Sequence, residues 1–187
     1  MEAFLISAGV VALGEIGDKT QLLALMLAAR FRRPLPIIAG ILAATLGNHA
    51  LAGILGNFVR TALPPAVLRW AVALSFFAVA IWALKPDTLA DDEPVQLSRW
   101  GVFGVTAGMF FVAEMGDKTQ VATMVLAARF DSLVAVVLGT TVGMLLADVP
   151  VVLIGKSAAA RIPMQAVRIA AAILFAALGV YALFAPV

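Results

Sequence analysis

One charged heptapeptide occurs twice in this 187-residue chain, as Glu15-Ile16-Gly17-Asp18-Lys19-Thr20-Gln21 and as Glu114-Met115-Gly116-Asp117-Lys118-Thr119-Gln120. The copies lie 99 positions apart, and eleven of seventeen positions are identical between residues 15–31 and 114–130, without a gap. Runs of alanine and leucine can imitate a repeat by chance, but a charged heptapeptide cannot. We therefore interpret the chain as a duplication of one structural unit.

The composition around the motifs is that of a membrane protein. Hydrophobic residues make up 63% of the chain and charged residues 13%, and the mean hydropathy is +1.06. About 20 apolar residues are needed for a helix to cross the hydrocarbon core. Stretches of that kind predict an all-α membrane protein with six transmembrane helices, at 3–29, 35–56, 67–84, 102–128, 133–155 and 166–184.

The repeat divides these six helices into two units. We expect a first three-helix repeat at 1–84, an acidic polar linker at 85–99 and a second three-helix repeat at 100–187. A unit with an odd number of spans makes its copy enter the membrane from the opposite side. The prediction is therefore an inverted 3+3 repeat, an architecture typical of secondary transporters with a midplane substrate site.

Loop charges predict the orientation, because cytoplasmic loops carry an excess of Lys and Arg. The loops after the first, third and fifth spans hold eight such residues: Arg30, Arg32, Arg33, Lys85, Arg99, Lys156, Arg161 and Arg168. The opposite side holds three: Arg60, Arg69 and Arg129. This bias places the central loop in the cytoplasm and both termini outside.

Both motifs fall inside predicted spans, where an ionised side chain costs about 2.5–3.5 kcal/mol. On a continuous helix the glutamate and aspartate of each motif share one face, and the motif glycine allows another helix to approach. We therefore expect four convergent carboxylate ligands: Glu15, Asp18, Glu114 and Asp117. The supporting residues are Lys19, Thr20, Gln21, Lys118, Thr119 and Gln120. Such an oxygen cluster suits Mn²⁺, Ca²⁺ or Mg²⁺.

The motif charges also suggest how a cation is exchanged. Four carboxylates and two lysines carry a net charge of −2, which one divalent cation or two protons neutralise. The structural alternative is that Glu15 pairs with Lys19 one turn along the same helix. That pairing leaves Asp18 without a cationic partner, so the sequence favours a functional role.

Two further polar residues occupy equivalent positions inside predicted spans, namely His49 and Asp148. They are candidates for a proton relay or a gate. The structural alternatives are that His49 bonds a backbone carbonyl and that Asp148 caps a helix break introduced by Pro150. Asn48 is a candidate interhelical hydrogen-bond donor.

Several classes of function are excluded or disfavoured. The chain has no cysteine and one histidine, which excludes thiolate and histidine-rich metal sites. Its balanced charge argues against binding nucleic acid. No enzyme activity is expected, since the Gly-x-Gly-Asp motif of membrane aspartyl proteases is absent, and no cofactor is expected. The alternatives that remain are a divalent-cation channel and an exporter of a small organic solute such as a cationic amino acid.

The doubled Glu-x-Gly-Asp-Lys-Thr motif, at residues 15–20 and 114–119, resembles the Gdt1 family, which includes bacterial manganese exporters. The resemblance covers the whole chain. It implies a cation/proton antiporter that moves Mn²⁺ or Ca²⁺ out of the cytosol across the lipid bilayer, with the four motif carboxylates as ligands or proton acceptors. No additional amino-terminal targeting segment is evident, so we expect a bacterial inner (plasma) membrane.

Overall fold

The computed structural model describes residues 1–85, 101–154 and 164–184. Every regular element in these ranges is an α-helix. In chain order they are α1 (Glu2–Glu15), α2 (Lys19–Phe31), α3 (Pro34–Ala62), α4 (Pro65–Ala83), α5 (Gly101–Glu114), α6 (Lys118–Arg129), α7 (Leu133–Ile154) and α8 (Met164–Phe184). The all-α prediction is confirmed for this part of the chain. The predicted linker at 85–99 lies outside the described residues, apart from Lys85.

Four of the described helices are long and apolar enough to cross a membrane: α3, α4, α7 and α8 from Gln165 onward. Helix α5 is also apolar but has only 14 residues. The outer faces carry large apolar side chains, and Leu51, Ile54 and Phe58 on α3 are at least half exposed. Apolar surface of this extent fits contact with lipid, in agreement with the predicted membrane protein.

The first and fourth predicted spans are each two helices instead of one. The sequence predicts continuous helices over 3–29 and 102–128, but α1 is separate from α2, and α5 from α6. The backbone turns at Gly17 and Gly116, where φ is +82° and +75°. This left-handed region favours a residue without a Cβ. These glycines form the breaks, and a Cβ at Gly116 would have no atom within 4 Å, so the expectation that another helix approaches closely is wrong for Gly116.

Prolines also act differently from the expectation. The expected helix break at Pro150 is wrong, because α7 continues through it to Ile154. An interior proline removes one helical hydrogen bond and can kink a helix without ending it. Helix α3 extends to Ala62, beyond its predicted end at 56, and a proline at the start of α4 then begins the next helix.

Each half packs its first helix against the long helix of the other half, so that α1 contacts α7 and α5 contacts α3. Glycines at equivalent positions of the repeat allow these approaches. A Cβ at Gly139 would lie 2.5 Å from the Phe4 carbonyl oxygen, and one at Gly40 would lie 2.7 Å from Thr106 Cβ. Small residues at such contacts are typical of membrane helices. The crossed packing brings the two helix breaks together.

Candidate metal centre between the repeated motifs

The two breaks place each motif at the junction of two helix ends. Glu15 and Glu114 are the last residues of α1 and α5, while Asp18 and Asp117 are the N-caps of α2 and α6. All four side chains are buried. The expectation that the glutamate and aspartate of a motif share one helix face is therefore wrong. They lie on two successive helices because the motif glycine turns the chain between them.

Salt bridges connect the motifs crosswise. Lys19 Nζ lies 2.8 Å from Asp117 Oδ1, and Lys118 forms the equivalent salt bridge with Asp18. Each lysine therefore neutralises the aspartate of the other half. The structural alternative, in which Glu15 pairs with Lys19 on a continuous helix, is wrong because the helix ends between these two residues.

The threonine of each motif holds one oxygen of the preceding glutamate. Thr20 Oγ1 donates to Glu15 Oε2 at 2.6 Å, and Thr119 Oγ1 donates to Glu114 Oε2 at 3.2 Å. The other oxygen of each glutamate, Oε1, is buried and has no hydrogen-bond partner among the described residues. Each half thus contributes one glutamate whose Oε2 is held by threonine and whose Oε1 can bind an ion.

Three of the four predicted ligands come together. Glu15, Glu114 and Asp117 each offer a carboxylate oxygen, and these atoms lie within 4.8 Å of one another. This cluster, called here the acidic triad, draws residues from both halves. Asp18 is not in the triad, and its carboxylate forms the salt bridge with Lys118. The triad's spacing is compatible with a single ion that all three oxygens approach.

The motif glutamines fasten the breaks to the opposite half. Gln21 Oε1 accepts a hydrogen bond from Gly17 N at 3.0 Å, and its Nε2 donates to the Ala147 carbonyl oxygen at 3.1 Å. In the second motif Gln120 Oε1 accepts from Gly116 N at 2.7 Å. Each glutamine thereby satisfies a backbone N–H that the broken helix leaves without a helical partner.

Asn48 is the partner of the second glutamine. Its Oδ1 accepts from Gln120 Nε2, and its Nδ2 donates to the Phe111 carbonyl oxygen at 3.3 Å. The prediction of an interhelical donor at Asn48 is confirmed. Asn48 and Ala147 occupy the same position of the repeat, so both glutamines reach equivalent places on α3 and α7.

His49 and Asp148 directly follow Asn48 and Ala147, the two residues to which the motif glutamines donate. Both side chains are fully buried. Neither nitrogen of His49 and neither carboxylate oxygen of Asp148 has a hydrogen-bond partner among the described residues. The expected structural partners, a carbonyl for His49 and a helix end for Asp148, are thus not found there. Asp148 lies within electrostatic range of both Glu15 and Glu114.

An unusual concentration of charge thus lies between helices that are apolar enough to span a membrane. Intramembrane ionisable residues that face one another mark ion pathways, and these features define the class of membrane transport proteins. The chain belongs to the GDT1 family. The family model, described as divalent cation/proton antiporter GDT1, matches residues 3–91 and 102–187. This family consists of transporters and is not an enzyme class.

Individual relatives extend over nearly the same length. A protein of Vibrio cholerae named "Putative manganese exporter" is 52% identical over 176 residues, covering 94% of this chain and 87% of the relative. GDT1-like protein 5 of Arabidopsis thaliana is 28% identical over 224 residues, covering 100% of this chain and 97% of that protein. A GDT1-like protein of Synechocystis is 27% identical over 195 residues, covering 94% and 93%. No solved structure matches the chain. The resemblance inferred from the motifs is confirmed.

Proposed function

We propose that this chain exports a divalent cation, foremost Mn²⁺, from the cytoplasm in exchange for protons. The observation that carries the proposal is the acidic triad, in which Glu15, Glu114 and Asp117 from two halves offer buried oxygens within 4.8 Å. The family description and the name of the Vibrio cholerae relative support the same substrate class.

The ion binds between the two glutamates. Threonine hydrogen bonds fix one oxygen of Glu15 and of Glu114, and the two Oε1 atoms face the ion. The glutamates also end α1 and α5, so the negative ends of two helix dipoles point toward the cation. Carboxylate oxygens accept Mn²⁺ and Ca²⁺ alike, so Ca²⁺ is a second substrate of this proposal.

Protons replace the ion when it leaves. The two motifs together carry a net charge of −2, and a charge left uncompensated in a low-dielectric site is costly. One divalent cation or two protons neutralise this charge equally. The site therefore alternates between an ion-loaded form and a protonated form, and the two crossed lysines stay in place throughout.

The architecture we propose is a six-span inverted repeat, with units at 1–84 and 100–187. The first span of each unit is a pair of half-helices, α1 with α2 and α5 with α6. Secondary transporters commonly bind their substrates at such interrupted helices and expose the site to each side in turn. In the opposite conformation the halves exchange roles, and Asp18 takes the place that Asp117 has in the acidic triad.

Loop charges support the direction of transport. The excess of Lys and Arg in the loops after the first, third and fifth spans favours a cytoplasmic loop between the units and termini that both lie outside. The similarity to a bacterial relative favours the inner (plasma) membrane of a bacterium. In this orientation the ion enters the site from the cytoplasm, and protons that enter from outside drive its export.

The test is flux into proteoliposomes that contain a Mn²⁺-sensitive dye. An imposed pH gradient should drive Mn²⁺ uptake, and a protonophore should stop it. Asp117→Asn removes one charge from the triad while keeping its shape, so it should abolish the flux. Glu2→Gln, a change of an exposed acid at the start of α1, is the matched control and should transport normally.

Three results would overturn the proposal. Mn²⁺ flux that does not respond to the pH gradient would indicate a channel in place of an antiporter. Normal transport by Asp117→Asn would reject the triad as the site. Uptake of a cationic amino acid with no uptake of Mn²⁺ or Ca²⁺ would reject the substrate class.

A further inference from the structure

Asp148 is a buried acid that the site described so far does not use. Its side chain has no exposed surface, and neither carboxylate oxygen has a hydrogen-bond partner among the described residues. Burying a carboxylate without a partner is expensive. A ligand that binds to Asp148 and later dissociates explains why this acid is buried without a permanent partner.

The position of Asp148 points to that partner. Gln21 of the first motif donates to the carbonyl oxygen of Ala147, the residue before Asp148, and so fixes this part of α7 against the start of α2. Asp148 also lies within electrostatic range of Glu15 and Glu114. Mutual repulsion among these carboxylates is relieved by a cation between them.

The acidic triad by itself is short of ligands. Ca²⁺ takes 6–8 oxygen ligands and a smaller divalent ion about six, whereas the triad offers one oxygen from each of three residues. Lys19 occupies Asp117 Oδ1, and Lys118 holds Asp18. Asp148 is not one of the three residues that form the triad. It directly follows Ala147, which the first motif's Gln21 binds, and no lysine of the motifs holds it among the described residues.

We propose that Asp148 is a further ligand of the transported divalent cation, one that supplements the oxygens of the acidic triad. This inference rests on the function proposed above. The equivalent position of the first half is His49, so the repeat supplies no second carboxylate at this position.

The first test is Mn²⁺ binding to the purified chain in nanodiscs, measured by the loss of the free-ion paramagnetic resonance signal. Asp148→Asn keeps the shape and removes the charge, so the dissociation constant should rise about tenfold or more. Glu2→Gln should bind as the wild type does. Thermal unfolding of each variant reports whether the protein remains folded.

The second test uses the absence of cysteine from the chain. Asp148→Cys places a soft thiolate at the proposed ligand position, and thiolates favour soft metals over Mn²⁺. The variant should gain tight Cd²⁺ binding with a thiolate-to-cadmium absorption band, and should lose Mn²⁺ affinity. Leu146→Cys, on the exposed face of the same helix, should show neither change.

The outcomes separate this inference from the proposed function. If the wild type binds no divalent cation, the proposed function fails. If the wild type binds Mn²⁺ and Asp148→Asn binds it equally well, the inference fails and the proposed function stands. If Asp148→Asn binds weakly but Asp148→Cys shows no cadmium–thiolate band, Asp148 is not a direct ligand and the inference is overturned.

Discussion

The two halves carry the same motif, yet their second helices end in different surroundings. The last turns of α6 are covered, with Ala127 and Ala128 at most 3% exposed. The equivalent residues of α2 are more open, Ala28 being half-buried and Ala29 exposed. Identical sequence therefore does not impose identical packing here.

The covering element is α3, which approaches α6 very closely. A Cβ at Gly56 would lie 2.0 Å from the Met124 carbonyl oxygen. Beyond this contact, Arg129 lies over the rings of Phe130 and Tyr181, whereas its counterpart Arg30 is exposed. In the proposed topology these helix ends face opposite sides of the membrane. One end is closed and the other looser, which is how an alternating-access transporter differs between its two sides.

The largest expected effect concerns the two crossed salt bridges. Their lysines differ in exposure as the ends of α2 and α6 do, the lysine of α6 being the more buried. Lys118 is 6% exposed in its bridge to Asp18, whereas Lys19 is 25% exposed in its bridge to Asp117. Lys118→Gln removes the cation that neutralises the buried Asp18 carboxylate, and should cost about 3–5 kcal/mol of stability. Lys19→Gln should cost less, because water that reaches Lys19 can solvate Asp117.

Thermal unfolding of both variants in nanodiscs measures this difference, with the exposed Lys85→Gln as the control. Equal losses for the two motif lysines would mean that the halves do not differ in solvent access at the site.

Replacement of the glycine at the closed end should have a smaller effect. Gly56→Ala introduces a methyl group against the backbone at Met124, and overpacking of this kind costs about 1–3 kcal/mol. Gly47→Ala on the same helix is the matched control, since its Cβ would lie 3.7 Å from the Phe111 ring, an ordinary contact. Both are measured by thermal unfolding, and a tolerated Gly56→Ala would show that the closed contact between α3 and α6 is not tight.

The smallest expected effect is at the outer edge of the closed end, where Arg60 of α3 pairs with Asp131. Asp131 is 96% exposed, and exposed ion pairs contribute about 0–1 kcal/mol. Arg60→Gln should therefore lower stability by no more than this amount, and high salt should remove the difference. A loss of several kcal/mol would contradict this prediction and would mean that the ion pair contributes strongly to the contact between α3 and the end of α6.

The sequence predicted the family and the membrane setting correctly, but it did not predict the path of the backbone through the motifs. A repeated charged motif inside an apolar chain was enough to identify the family and the membrane setting, whereas the inverted repeat and the ligand set stay predictions. The helix breaks were not predicted, because hydrophobic length does not reveal whether Gly17 adopts a left-handed conformation. The crossed pairing of Lys19 with Asp117 depends on how the halves pack, and residue spacing within one motif carries no information about that.

Other features could not be predicted from the sequence for a related reason. Asp148 and His49 were noticed as polar residues in apolar spans, but their lack of hydrogen-bond partners among the described residues follows only from the three-dimensional arrangement. The close contact at Gly56 likewise depends on the position of α6. Sequence identifies residues that are costly to bury, and structure shows which groups stabilise them.

The central claim is that both motifs form one shared ion site, and the number of ions bound per chain tests it most directly. Equilibrium Mn²⁺ binding to the protein in nanodiscs should give one ion per chain for the wild type. Glu15→Gln and Glu114→Gln should each abolish binding of that same ion, because both glutamates contact it in the proposed site. Two ions on the wild type, with one retained at unchanged affinity in each variant, would show two separate sites and contradict the account.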